Sequence, residues 1–116
     1  GHALGDAVLV RIAAILVEHF RASDLVARIG GEEFAVLLPE TSLAGALNSV
    51  ELLRERVVGT DYADLADWLR VSFSAGVSEW QPGEHRDALM RRTDAGLYVA
   101  KSSGRNRVCG DQNRPS

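Results

Sequence analysis

The sequence predicts an α+β domain, with a mostly antiparallel sheet flanked by helices. Three observations support this. Three stretches carry apolar residues at helical spacing. Between them lie short apolar or alternating runs of strand length. Glycine and proline punctuate the junctions, giving the order α-β-β-α-β-α-β.

The first helix is read from Val8, Ile12, Ile15, Leu16 and Phe20, which share a face, while Ala7, Arg11, Ala14 and Glu18 form a smaller, more polar one. Asp6 stands where a cap for this helix is expected. Residues 25–29 and 34–38 are two short strands joined by a glycine turn. Phe34-Ala35-Val36-Leu37-Leu38 is apolar on both faces, so this strand is expected to be covered on both sides, and Pro39 ends it. Thr41 or Ser42 caps a second helix with the inner stripe Leu43, Ala46, Leu47, Val50, Leu53 and Val57, and Gly59 is expected just past its end. Residues 60–69 connect it to the next strand, where Val71, Phe73, Ala75 and Val77 alternate with Ser72, Ser74, Gly76 and Ser78. Pro82-Gly83 marks a turn. A third helix is expected over residues 86–102, with Met90, Thr93, Leu97 and Ala100 on one face and Gly104 as its stop. Arg107-Val108-Cys109 reads as a short last strand with Cys109 as a small core residue. Residues 110–116 are polar and expected to fray.

The bulk properties bound the function. A length of 116 residues suits one domain, and 46% hydrophobic with 25% charged residues is ordinary for a globular fold. A net charge of -3 excludes a general nucleic-acid binder, which needs a basic stripe, but leaves room for a nucleotide ligand. The single cysteine excludes an internal disulfide and a cysteine-rich zinc site. No apolar run reaches the roughly 18 residues of a membrane span. His2, His19 and His85 show no ligand spacing, and Trp68 and Trp80 read as core or flank residues.

The most informative stretch is Gly30-Gly31-Glu32-Glu33-Phe34, with Arg21-Ala22-Ser23-Asp24 shortly upstream. Glycine reaches positive φ at little cost and leaves backbone N–H groups open to a phosphate. Two acids beside such a turn can hold a hard divalent cation through oxygen. The five-residue string alone fits a solvated turn with exposed glutamates equally well. Taken singly, Lys101 and Arg105 suit the negative end of a helix dipole, Asp6 suits an N-cap, and Arg21 with Asp24 suits a surface ion pair of little energetic weight.

Taken together and in order, these residues resemble the catalytic GGDEF domain of bacterial diguanylate cyclases. Gly30-Gly31-Glu32-Glu33-Phe34 is a normal variant of the family's signature. Gly1-His2-Ala3-Leu4-Gly5-Asp6 is similar to its GHxxGD segment, and Arg21-Ala22-Ser23-Asp24 to its RxxD product-binding site. Val71-Ser72-Phe73-Ser74-Ala75-Gly76-Val77 resembles its S-x-G strand. The run from Thr93 through Asp94, Leu97, Tyr98, Ala100, Lys101, Gly104, Arg105 and Asn106 to Val108 resembles its ADxALYxAKxxGRNRV block. The match extends to about residue 109, which defines the expected domain as residues 1–109 with a tail over 110–116.

The resemblance implies a nucleotidyl-cyclase, ferredoxin-like fold and the condensation of two GTP molecules into cyclic di-GMP and two pyrophosphates. It implies that Glu32 ligates a catalytic Mg2+ or Mn2+ and serves as the candidate base, with Glu33 assisting. Gly30 and Gly31 would lie under the phosphates, Asp6 would read the guanine edge, and Lys101 and Arg105 would hold the β- and γ-phosphates. Arg21 and Asp24 would form an inhibitory cyclic di-GMP site. The family further implies a homodimer, an upstream sensor or receiver domain, and a cytoplasmic location, either free or as part of a membrane-anchored protein. It implies no nucleic-acid partner and no membrane contact by the domain itself.

Two departures stand out. The family's first strand, with a metal-binding Asp, and the following helical segment, with a guanine-reading Asn, have no counterpart in this sequence. The chain is therefore expected to be truncated, inactive alone and prone to self-association. Gly96 stands where the family prefers Ala, and glycine within a helix costs about 1 kcal/mol. The competing expectation is a non-catalytic module that binds cyclic di-GMP or serves in dimerisation. The intact Glu32, Glu33 and Lys101 favour an enzyme.

Overall fold

The computed structural model describes residues 2–110. Its elements run α1 (His2–His19), β1 (Leu25–Gly30), β2 (Glu33–Leu37), α2 (Leu43–Gly59), β3 (Ala75–Val77), α3 (Arg86–Ser102) and β4 (Val108–Gly110). Element order and the α+β class match the sequence expectation. Gly1 and residues 111–116 lie outside the described residues, and so does the expected frayed tail, except that Gly110 pairs with Val77 within a ladder.

The strands form two ladders that share no pairing among the described residues. β1 and β2 are antiparallel, whereas β3 and β4 are parallel. The main core lies between α1, α2 and the hairpin. Ile15, Leu16 and Phe20 from α1 and its end meet Leu53 and Val57 of α2. Val26, Phe34, Val36 and Leu38 close the cluster from the hairpin side, and Val71 and Phe73 from the segment before β3. Val57 is wholly buried, and Tyr62 is buried with its hydroxyl donating to the Val57 carbonyl at 2.7 Å. Two ion pairs strap the layer: Arg56–Glu18 at 2.8 Å and Arg11–Asp64 at 2.5 Å.

Several local expectations are corrected. α1 starts at His2, so Asp6 lies inside the helix and does not cap it. The Ala- and Leu-rich start carries the helix past Gly5. β2 is covered on one side only. Phe34, Val36 and Leu38 face the core, while Leu37 is 57% exposed, because alternation sends it to the face that α1 and α2 do not cover. Residues 71–74 pack against the core without joining a ladder, since a strand needs a hydrogen-bonded partner as well as an apolar face. Ser42 is the observed N-cap of α2, accepting from the Gly45 N–H at 3.1 Å, and Gly59 is the last helical residue rather than the one beyond. Met90 is exposed, and so are Trp68 and Trp80, which leaves both tryptophans as flank residues.

The inner face of α3 is set by Gly96 and Ala100, both buried. Gly96 lies against Gly76 of β3, and the two backbones meet where side chains would stand. A Cβ on Gly76 would sit 2.2 Å from the Thr93 carbonyl oxygen and 2.3 Å from the Leu97 nitrogen. A Cβ on Gly96 would sit 3.0 Å from the Cys109 carbonyl oxygen and 3.3 Å from the Gly76 Cα. The glycine that weakens the helix locally thus permits its docking at backbone distance. On the other side α2 approaches the same ladder, with Leu47 beside Gly110.

Gly76→Ala should lower stability by about 3 kcal/mol or more, since rigid backbone surrounds the added methyl. Gly96→Ala should cost much less, because a few tenths of an ångström accommodate it and helix propensity returns about 1 kcal/mol. Urea unfolding measures both. A Gly76→Ala midpoint equal to that of the unaltered protein would remove the close approach.

Candidate functional site

The hairpin tip carries the acidic pair. Arg28 pairs with Phe34 and Gly30 with Glu33, so the register slips by one residue and Ile29 is the bulge. Gly31 adopts φ 50°, a conformation glycine reaches without strain, and begins the turn. The Arg28 guanidinium clamps it, donating through Nε at 2.9 Å and Nη2 at 2.5 Å to the Gly31 carbonyl. Glu32 lies in the turn and Glu33 opens β2. Both are exposed, and neither side chain has a hydrogen bond or ion pair among the described residues.

The donor set discriminates between metal types. Among the described residues no group of three His, Cys, Asp or Glu side chains converges. A Ca2+ or Zn2+ cage built only from protein needs such a convergence. Mg2+ keeps several waters and is commonly held by one or two carboxylates together with substrate phosphates. Glu32 and Glu33 fit that second arrangement.

The end of α3 carries the cations. Lys101 lies in its last turn. Ser103 caps the helix, its N–H donating to the Val99 carbonyl at 3.0 Å, and the Arg105 N–H donates to the Ala100 carbonyl at 2.9 Å. Arg105 and Asn106 then take φ 60° and 47°. Non-glycine residues hold this conformation only at some cost, of order 1–3 kcal/mol each. The Lys101 and Arg105 side chains are exposed and unpaired among the described residues. No hydrogen bond or ion pair among these residues joins Asp6, the hairpin tip and the α3 end, so each presents its charge independently to solvent.

Arg21 and Asp24 are brought together. Asp24 Oδ2 accepts from the Arg21 N–H at 2.8 Å, and Asp24 Oδ1 from Nη2 at 3.0 Å. The same Nη2 reaches the Pro39 carbonyl at 3.0 Å and Thr41 Oγ1 at 2.9 Å, tying the start of β1 to the start of α2. The Asp24 side chain is 2% exposed and that of Arg21 58%. Hydrogen bonding from Arg21 holds the Asp24 carboxyl below its ordinary pKa, against the upward push of burial. This is more than a loose surface pair, because the carboxylate is enclosed.

Sequence reasoning missed Thr41 as a partner of Arg21. It also missed Arg54, whose Nη1 donates to Asn106 Oδ1 at 3.0 Å across 52 residues. The only sequence signal for Arg54 is Glu51 three positions earlier, which points to an ordinary pair along one helix.

Comparison with known proteins follows the same residues. The family model described as "Diguanylate cyclase, GGDEF domain" matches residues 1–107. The chain is 45% identical over 113 residues to the response regulator PleD of Caulobacter vibrioides, covering 95% of the chain and 25% of PleD. It is 44% identical over 108 residues to the diguanylate cyclase DgcM of Escherichia coli, covering 93% of the chain and 26% of that protein. The chain thus spans about a quarter of the length of these curated relatives. Among solved structures it is similar to the GGDEF domain of DgcB from Caulobacter crescentus in complex with c-di-GMP, with TM-score 0.89, 32% identity, and coverage of 97% of this chain and 68% of that one. The active GGEEF domain of a diguanylate cyclase from Vibrio cholerae gives TM-score 0.89 and 33% identity, covering all of this chain and 72% of that one.

Asp24 makes acid stability testable. A carboxyl whose folded pKa is lowered contributes stability that is complete above the unfolded value, about pH 4, and is lost as pH falls through the folded value. Asp24→Asn should therefore destabilise at neutral pH, and the gap to the unaltered protein should narrow below about pH 4. Thermal unfolding across pH measures it, and a gap independent of pH contradicts the assignment.

Proposed function

The chain belongs to the GGDEF family of diguanylate cyclase domains, and from that premise we propose that it is the catalytic part of a protein that condenses two GTP molecules into cyclic di-GMP and two pyrophosphates. The observation that carries this reading is the bulged hairpin tip, where Glu32 and Glu33 stand exposed and uncommitted beside positive-φ Gly31. The cations Lys101 and Arg105, whose side chains have no partner among the described residues, add positive charge suited to a triphosphate tail.

The chemistry is a phosphoryl transfer run twice. The 3′-hydroxyl of one GTP attacks the α-phosphorus of another. A P–O bond forms, the bond from that phosphorus to the bridging oxygen breaks, and pyrophosphate leaves with the electron pair. The hydroxyl proton passes to a carboxylate, a role given to Glu32. The same step with the partners exchanged closes the ring. Glu32, with help from Glu33, would hold Mg2+ or Mn2+, which would supply charge neutralisation for the phosphates. Gly30 and Gly31 leave room for the phosphates. Lys101 and Arg105, a point charge and a planar fork, take the β- and γ-phosphates. Asp6 accepts from guanine N1–H and its amine, a pairing that suits a carboxylate. Each domain holds one GTP, so turnover needs two copies facing each other.

Arg21 and Asp24 are assigned to product control. The DgcB neighbour was solved with c-di-GMP, and the half-exposed Arg21 guanidinium, whose Nη1 takes part in none of its hydrogen bonds, offers donors to a phosphate or a guanine edge. A sensor or receiver domain elsewhere in the protein and a cytoplasmic site of action, where GTP is available, complete the reading. No helix among the described residues is long and apolar enough to cross a membrane.

In the intact protein, GTP with Mg2+ should yield cyclic di-GMP and pyrophosphate, read by chromatography. Glu32→Gln should lower that rate by about 100-fold or more while the circular dichroism spectrum is unchanged. Near-normal turnover by this variant removes Glu32 from the mechanism. Arg21→Ala, confirmed to be folded, should relieve inhibition by cyclic di-GMP without lowering the initial rate. An unchanged cyclic di-GMP affinity by calorimetry contradicts the product site.

A further inference from the structure

Arg105 and Asn106 are consecutive non-glycine residues in the left-handed region, directly after Gly104. Such a pair persists where surrounding bonds over-determine it. The backbone on either side is held by the Arg105 N–H on the Ala100 carbonyl at 2.9 Å and by the Ala75 N–H on the Arg107 carbonyl at 3.0 Å. Arg107 Nε adds a bond to the Arg105 carbonyl at 3.0 Å. The Asn106 side chain is held from another element. Arg54 of α2 donates through Nη1 to Asn106 Oδ1 at 3.0 Å. Arg54 is itself oriented by Glu51, whose two carboxylate oxygens accept from Nε at 2.5 and 3.1 Å.

The surroundings make this bond consequential. Leu47, Glu51, Arg54, Asn106, Arg107 and Val108 line an open cleft of about 410 Å3 between α2 and the loop. The Arg54–Asn106 hydrogen bond spans this cleft from α2 to the loop, beside the packing of Leu47 near Gly110. The Arg54 side chain is 21% exposed and so is partly shielded, while Asn106 at the other end of the bond is exposed.

We infer that Arg54 is a positioning residue for nucleotide binding. Braced by Glu51, it holds Asn106, and thereby fixes the left-handed loop that sets where the Arg105 guanidinium meets the β- and γ-phosphates of GTP. The inference rests on the assignment of Arg105 to those phosphates. It goes beyond that assignment by naming a residue that touches no substrate and yet governs affinity for it.

The test is a double-mutant cycle in the intact protein with GTP and Mg2+. Arg54→Met keeps the stem and removes the donors. It should raise KM for GTP about fivefold to tenfold, the scale of one charged hydrogen bond, with kcat within about twofold. In an Arg105→Ala background the same change should have no further effect. Asn106→Gly, which lacks the Oδ1 acceptor, should raise KM to a similar extent and make Arg54→Met silent. A KM unmoved by Arg54→Met, or an undiminished effect in the Arg105→Ala background, overturns the inference. Amide exchange without nucleotide separates the two levels. The Arg105 amide should exchange faster in Arg54→Met, and unchanged exchange overturns the latch outright. Faster exchange combined with a KM that Arg105→Ala does not move instead refutes the phosphate role of Arg105, and the inference falls with it.

Discussion

The approach of Gly96 to Gly76 is the constraint on which the rest depends. It brings α3 onto the β3–β4 ladder at backbone distance, closer than any side chain permits. The helix lies so close that a Cβ on Gly76 would meet the Thr93 carbonyl oxygen and the Leu97 nitrogen. Its last turn therefore has a fixed height, and Lys101 and the loop through Arg105 inherit it. The same ladder receives α2 on its other side through Leu47. Two helices are thus referred to one short pair of strands, and the Arg54–Asn106 bond joins them again at the loop.

The outward-facing charges sit on backbone turns that neighbouring side chains brace. Glu32 stands at the tip because a bulge and a positive-φ glycine turn the chain there, with Arg28 bonding the turn carbonyl and leaving the carboxylates alone. Arg105 stands where it does because two residues are held left-handed. Both side chains are exposed and have no partner among the described residues, so they are open to a ligand of opposite sign. Arg21 and Asp24 follow a different logic. Their pairing closes a connection and encloses the carboxylate, so binding there must use the donors left on the exposed guanidinium. Under the proposed product site, stability and regulation share one residue pair.

Much of this was legible in the sequence, because it is written in local chemistry. The bounds of α3, the Ser42 cap and the glycine turn follow from periodicity, hydroxyl capping and positive φ. What was illegible depends on distant partners. Alternation over residues 71–77 marks a strand, but only Ala75–Val77 finds a ladder partner. Leu37 reads as core and is exposed, because cover is decided by which helices lie on which face. Asp6 reads as a cap until α1 extends past it. Gly96 reads as a helix defect, and only the backbone of Cys109, Gly110 and Gly76 packed against it explains it. Arg54 looks like half of a surface pair, since its partner lies 52 residues away.

The central claim is that the hairpin tip and the α3 end, which share no bond of their own, grip one triphosphate together. The most direct measurement is paramagnetic broadening of backbone amide signals by Mn2+ added with GTP to the intact protein. The account predicts broadening at Gly30, Gly31, Glu32 and Glu33 and, in the same titration, at Lys101, Arg105 and Asn106, with both sets recovering when the nucleotide is removed. Broadening at the hairpin alone, unchanged by GTP, would contradict it and reduce Glu32 and Glu33 to an ordinary acidic turn.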